Sequence, residues 1–168
     1  FFNMLSNIYV FFEQSKGESI DPSDRSTQAL DQWILSRLSE VENKISFHMD
    51  HFQILEPVRE MRLFIDDLST WYVRRSRDVL REGDKETLGT LAYILKNFSK
   101  LLAPFAPFFA EDLFQKLRKD TDPESVHLEK WPNIKEKNEV LLADMAEIRR
   151  LSSLVLQERN KVNIKVKQ

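Results

Sequence analysis

Between residues 57 and 82 the apolar side chains return every three or four positions: Val58, Met61, Ile65, Leu68, Tyr72 and Val79. At about 100° per residue these fall on one arc of a helix. A strand could not keep them on one face, because its side chains alternate. The spacing predicts a single helix opening at Pro57, whose missing N–H costs nothing in a first turn, and running to Glu82, with Gly83 as its stop. The same step recurs over residues 27–47 in Leu30, Ile34, Leu38, Val41 and Ile45. It recurs again in Leu88, Leu91, Leu95, Phe98 and Leu102, behind Asp84 as predicted N-cap. Only three Gly in 168 residues exclude most Gly-rich phosphate loops and argue against a turn-rich β fold.

The rest of the chain fits between these stripes. Residues 1–15 read as a buried helix, 16–24 as a linker holding Gly17 and Pro22, and 48–53 as a connection. Pro104 and Pro107 must interrupt any helix through 101–107, and a short helix is expected from 107 to 118. Residues 125–130 read as a short extended strand, and Trp131-Pro132 closes a loop. A last helix, 138–158, carries Leu141, Met145, Ile148, Leu151 and Val155 on one side. In 160–168, Val162, Ile164 and Val166 alternate with lysines, which predicts a strand. The expected architecture is all-α: an antiparallel helical bundle over residues 1–135, then a C-terminal helix and the start of a further, truncated subdomain over 136–168. Its core is expected to include Trp33, Ile34, Leu38, Ile65, Leu68, Tyr72, Leu91, Leu95 and Phe98.

Composition narrows the chemistry. With 25 Lys+Arg against 27 Asp+Glu the net charge is −2, so a nucleic-acid site must come from local clustering. No Cys is present, which removes disulfides, thiolate catalysis and Cys-ligated zinc. No run reaches the roughly 18 apolar residues of a membrane span. The first residue is Phe and the last ones do not read as a natural end, so a piece of a longer chain is expected.

His48 and His51 lie close in sequence, beside Asp50, and could serve a metal or a stand-alone enzyme. As loop histidines they fit solvent better. Asp66 and Asp67 are helix neighbours and diverge by about 100°, so they cannot share a substrate; a solvated face with an ion pair is expected. Arg74, Arg77 and Arg81 are spaced three and four apart, opposite the predicted core arc, with Trp71 on the flank. Three guanidiniums on one ridge suit phosphate contacts and stacking. A solvated face balanced by Asp66, Asp67, Asp78 and Glu82 carries more weight from spacing alone. Arg75 lies nearer the core arc and reads as a structural ion-pair partner.

Five segments resemble the isoleucyl-tRNA synthetases, in the same order. Asp31-Gln32-Trp33-Ile34-Leu35-Ser36-Arg37-Leu38 is similar to the D-R-W-I-L-S-R-L helix start shared with the valine and leucine enzymes. Phe64-Ile65-Asp66-Asp67-Leu68-Ser69-Thr70-Trp71-Tyr72-Val73-Arg74-Arg75-Ser76-Arg77 resembles F-x-D-D-L-S-x-W-Y-V-R-R-S-R. Leu101-Leu102-Ala103-Pro104-Phe105-Ala106-Pro107-Phe108 resembles L-L-A-P-F-x-P-F. Ser125-Val126-His127-Leu128 with Trp131-Pro132 resembles S-V-H-L-x-x-W-P, and Ile164-Lys165-Val166-Lys167-Gln168 the start of I-K-V-R-Q-P-L. Gln32 and Lys167 stand where the pattern has Arg.

The resemblance implies an anticodon-binding bundle of a class I synthetase. The tRNA-binding residues expected are Trp71, Arg74, Arg77, Arg81, Lys165 and Lys167, with isoleucine tRNA and the remaining domains of the synthetase as partners. It implies a cytoplasmic parent ligase using ATP and Mg2+. The H-x-G-H and K-M-S-K-S motifs are absent from these residues, so no catalytic residue, cofactor or metal is expected in them, and the chain is expected to be monomeric. The equivalent domain of a valyl or leucyl enzyme, and a helical protein–protein scaffold, are the competing readings.

Overall fold

The computed structural model describes residues 1–17, 19–134 and 137–161. The chain divides into two compact units, Phe1–Lys137 and Asn138–Gln168. The first holds α1 (Phe2–Ser15), α2 (Ala29–Asp50), α3 (Leu55–Asp67), a π-helical turn (Leu68–Val73), α4 (Arg77–Arg81), α5 (Lys85–Leu102), α6 (Pro107–Leu117) and a 3-10 turn (Val126–Leu128). The second holds α7 (Glu139–Lys161), on which no described residue is buried. Among the described residues there is no strand, and the fold is the expected all-α antiparallel bundle.

Local chemistry sets the boundaries. The Asp84 carboxylate accepts from the Thr87 N–H at 2.8 Å and caps α5 as predicted. The proline-bearing segment ends α5 at Leu102 and seats Pro107 in the first turn of α6. α2 packs on α3 and α5, and α5 packs on α1 and α6. All nine expected core residues are buried, with Phe64 and Phe98 stacked at 5.4 Å between ring centroids. Gly89 is required by a close approach: a Cβ there would stand 3.1 Å from the Asp21 carbonyl oxygen, in the segment that leads into α2.

Ring contacts fix which ends meet. Phe1 lies 6.4 Å from Phe98, late in α5, and Phe2 lies 4.9 Å from Phe109, early in α6. At the other end the Arg77 guanidinium sits 5.6 Å from the Phe11 ring, and Gln28 Nε2 donates to Asp84 and Thr87. The bundle therefore has a Phe1 end, with the α2–α3 and α5–α6 turns, and a Gly83 end, with the α4–α5 turn.

The structure corrects the sequence reading at several points. The helix expected over 57–82 is three pieces, because Leu68–Val73 is a π turn and the backbone breaks at Ser76. A π turn closes i to i+5 and is wider than an α turn. The buried positions then step by four, through Leu68, Tyr72, Ser76 and Leu80, and Leu80 replaces Val79 in the core. Val58, predicted on the same arc, is exposed. The strand expected at 125–130 is instead the 3-10 turn. Glu111 accepts from the Ser125 hydroxyl and the Val126 N–H, both at 2.9 Å, and this holds the segment folded back. Residues 48–50 continue α2, and Asn160 and Lys161 continue α7. The remainder of the alternating tail, with Lys165 and Lys167, lies outside the described residues. Ile148, Leu151 and Val155 are exposed on α7.

Candidate nucleic-acid interface

The two segments that carry the strongest family pattern are bolted together inside the bundle. Asp31 is buried, and its carboxylate accepts from the Tyr72 phenol and the Ser26 hydroxyl, both at 2.8 Å. Burial pushes the Asp31 carboxyl above its usual range, while the hydrogen bonds from Tyr72 and Ser26 oppose that shift. Burial also raises the Tyr72 phenol, and the Asp31 charge raises it further, so the phenol stays protonated and donates. Six residues along α2, the Arg37 Nε donates to Asp67 at 3.1 Å. Asp66 is exposed, so the carboxylate pair splits into one solvated and one ion-paired member. The sequence reading missed the Asp31 and Arg37 links. Asp31 sits three and seven residues before Ile34 and Leu38, on the stripe itself, and that was the available signal.

These anchors hold the end of α3 and the π turn against α2, while α4 packs on α1 and α5, and the arginines are left outside. Arg74, Arg75, Arg77 and Arg81 are all exposed. Arg74 and Arg77 lie on either side of the break at Ser76, so the three predicted arginines do not form one straight helical ridge. Among the described residues none of Asp66, Asp67, Asp78 or Glu82 forms an ion pair with Arg74, Arg77 or Arg81. Arg75 is exposed, and its guanidinium carbon lies 3.5 Å from the centroid of the half-buried Trp71 ring. The i, i+4 spacing of Trp71 and Arg75 was the legible sign of that stack. The surface thus offers cations and a guanidinium stacked on an indole, the groups that meet phosphate and nucleobase faces.

The histidines are otherwise occupied. His48 Nδ1 lies 2.5 Å from the Gln53 side chain, and His51 Nδ1 donates to the Phe47 carbonyl at 2.7 Å, both closing the end of α2. Among the described residues no three His, Asp or Glu converge as a metal site, and no helix is long and apolar enough to cross a membrane.

A family model described as the anticodon-binding domain of tRNA ligase matches residues 31–168. The chain belongs to that family. The anticodon-binding domain is similar to the isoleucine–tRNA ligase of Chlamydia pneumoniae, 36% identical over all of this chain and 16% of the relative. It is also similar to isoleucine–tRNA ligase 2 of Bacillus cereus, 35% identical over all of this chain and 17% of the relative. It therefore spans about a sixth of the length of the curated relatives it matches. Among solved structures, the LeuRS of Agrobacterium radiobacter K84, in a ternary complex with tRNA and LeuAMS, matches 84% of the domain with a TM-score of 0.59 at 20% identity. That likeness bears on the fold alone, and the fold is that of a class I synthetase anticodon domain.

Proposed function

We propose that this domain is the tRNA-binding module of an isoleucine–tRNA ligase, with Arg74, Arg77 and Arg81 on phosphates of the anticodon stem and loop and Trp71 as the flanking aromatic. The observation that supports it is the exposure of these three guanidiniums without an acidic partner among the described residues. A solvated face of balanced charge would have paired them with Asp78 or Glu82, which stand beside them in sequence. The Arg75–Trp71 stack adds a planar cation to the same region. Lys165 and Lys167, outside the described residues, are assigned to the same tRNA-binding role. Residues 1–135 are the anticodon-binding bundle and 136–168 open the next subdomain. The parent ligase joins isoleucine to its tRNA in the cytoplasm with ATP and Mg2+. The centre for that chemistry lies outside residues 1–168, and the domain itself is monomeric.

Phosphate contacts release counterions, so affinity falls with salt in proportion to their number. In the full-length ligase each Arg→Ala change at 74, 77 or 81 weakens isoleucine tRNA and flattens the log–log salt slope by up to about one unit. Isoleucine-dependent pyrophosphate exchange, measured without tRNA, serves as the control for intact folding. A triple Arg→Ala enzyme that binds and charges isoleucine tRNA like its parent at every salt concentration overturns the assignment.

A further inference from the structure

A second basic site lies where α1 and α6 end. A cleft of about 100 Å³ is lined there by Lys16, Lys116, Arg118 and Lys119, together with Ser19. Its walls include Phe12, Ile20 and Leu117, so charges inside it are poorly screened. The volume is a few times a water's share of the liquid, about 30 Å³. It suits one phosphate group and is too small for a nucleoside.

Each lysine of the cleft has a carboxylate of its own. Lys16 Nζ donates to Glu13 at 2.7 Å, Lys116 Nζ donates to Asp112 at 2.6 Å, and Lys119 pairs with Asp21. Arg118 has none. It is half-buried, and among the described residues its guanidinium makes no ion pair or hydrogen bond. Its Nε is sealed from solvent and donates to nothing. Asp122, four residues on, is already taken: it accepts from Lys96 Nζ at 2.5 Å and from the Lys119 N–H at 2.7 Å. The C-terminal carbonyls of α6 favour a cation at this position, yet they give Nε no acceptor. A guanidinium placed this way loses hydration and gains no partner in return.

We propose that this cleft is an oxyanion site for a single phosphate group, anchored by Arg118 and ringed by the ammonium groups of Lys16, Lys116 and Lys119. An ammonium has three N–H donors, and one carboxylate contact leaves the others to spend on a ligand. A tetrahedral phosphate offers oxygens in several directions and meets such a ring together with the guanidinium fork, whereas a carboxylate offers two oxygens in one plane. The unmatched charge is the single one on Arg118, which fits a phosphodiester or a phosphate monoanion. The backbone of RNA and free phosphate both supply that chemistry. The Arg77 guanidinium lies 5.6 Å from the Phe11 ring and Lys16 Nζ lies 5.7 Å from the Phe12 ring, so this cleft and the Arg74–Arg81 region border the same turn of α1. The site stands on its own geometry and does not depend on the tRNA contacts assigned to that region.

Phenylglyoxal modifies free guanidiniums, and a bound phosphate shields them. In the full-length ligase, modification of the Arg118 peptide is followed by mass spectrometry beside that of Arg62, which is exposed on α3. Inorganic phosphate, with ionic strength balanced by chloride, should slow Arg118 about fivefold at about four times its half-protection concentration and leave Arg62 unchanged. Acetate at the same ionic strength should protect neither. Four results overturn the proposal: no protection by phosphate, equal protection by acetate, equal slowing of Arg62, or an Arg118 that resists the reagent before any oxyanion is added. The Lys16→Gln/Lys116→Gln double variant should raise the half-protection concentration severalfold. An unchanged value places the phosphate outside the cleft and also overturns it. Isoleucine tRNA in chloride alone identifies the source. Protection of Arg118 by tRNA assigns the RNA backbone, and protection by phosphate without protection by tRNA assigns a free phosphate group; both uphold the site. The salt slopes of the Arg74, Arg77 and Arg81 variants are measured separately, so either reading can fail while the other stands.

Discussion

Two helices of this bundle finish in the same hydrogen-bonded turn, one at each end, with different residues at the left-handed position. α4 closes with the Gly83 N–H on the Leu80 carbonyl at 3.1 Å and the Asp84 N–H on the Val79 carbonyl at 3.3 Å, and Gly83 takes φ +81°. α2 closes with the same pair of bonds around Phe52 at φ +56°. At Gly83 the missing Cβ makes the conformation cheap. At Phe52 the chain accepts strain to hold an aromatic ring in solvent. One end is thus optimised for the domain's own stability, with its charges turned outward. The other gives up stability to keep apolar side chains at the surface. A helix terminus can carry a functional side chain even when the backbone there prefers none.

The largest expected effect separates the interior from the Phe1 end. Leu68 is fully buried on the π turn, so Leu68→Ala should cost about 2–5 kcal/mol in urea unfolding of the chain. Phe108→Ala removes a larger side chain that is 92% exposed, and should change stability by no more than about 0.5 kcal/mol. A large cost at Phe108 would mean that this unit closes its own Phe1 end, and the contrast between the two ends would collapse.

The interior was largely legible from the sequence, and the ends were not. The three-and-four spacing of Ile34, Leu38, Ile65, Leu68, Leu91 and Leu95 reports burial because a packed helix has one inward face whatever surrounds it. The same arithmetic failed beyond Tyr72. It assumes a constant turn, and the π turn widens one, so Leu80 faces inward in place of Val79. Tertiary hydrogen bonds decided the 125–130 segment: its Val126 N–H goes to Glu111, a partner fifteen residues away that no local pattern reveals. The candidate site was half visible. The exposure of Arg74, Arg77 and Arg81 followed from spacing, whereas the Arg75–Trp71 stack left only the sign of an i, i+4 pair, because the sequence arc turned Arg75 towards the core where the structure buries Ser76 instead.

A smaller pair of changes sharpens the comparison between the turns. Gly83→Ala meets no atom within 4 Å, so its cost is purely conformational and should be about 1 kcal/mol. Phe52→Gly should move the other way and stabilise the isolated chain by up to about 1 kcal/mol, since little burial is lost and the left-handed strain is relieved. Thermal unfolding of the two variants beside the parent checks the signs. Destabilisation by Phe52→Gly would show that the exposed ring earns its place within this unit.

The smallest expected effect lies at the Gly83 end, beneath the arginines, and appears only as a pH dependence. Asp31 holds Tyr72 and Ser26 together, and burial raises its carboxyl above the ordinary 3.8, against those hydrogen bonds. The folded chain therefore binds this proton more tightly than the unfolded chain does. Where the native state holds more protons, stability falls as pH rises. The Asp31 contribution is accordingly fully present below the unfolded value and is lost as pH climbs through the raised folded value. Asn at this position keeps a carbonyl to accept from Tyr72 but does not titrate. The stability advantage of the parent over Asp31→Asn should shrink as pH rises from about 4 towards neutrality, read from urea midpoints at each pH. Other carboxylates, such as Glu40, which burial pushes up but Arg37 pulls below its ordinary value, slope the opposite way in both proteins and cancel in the difference. A gap that widens with pH would mean that the ionised carboxylate is the form the fold prefers, and that the link from Asp31 to Tyr72 is held by charge rather than strained by it.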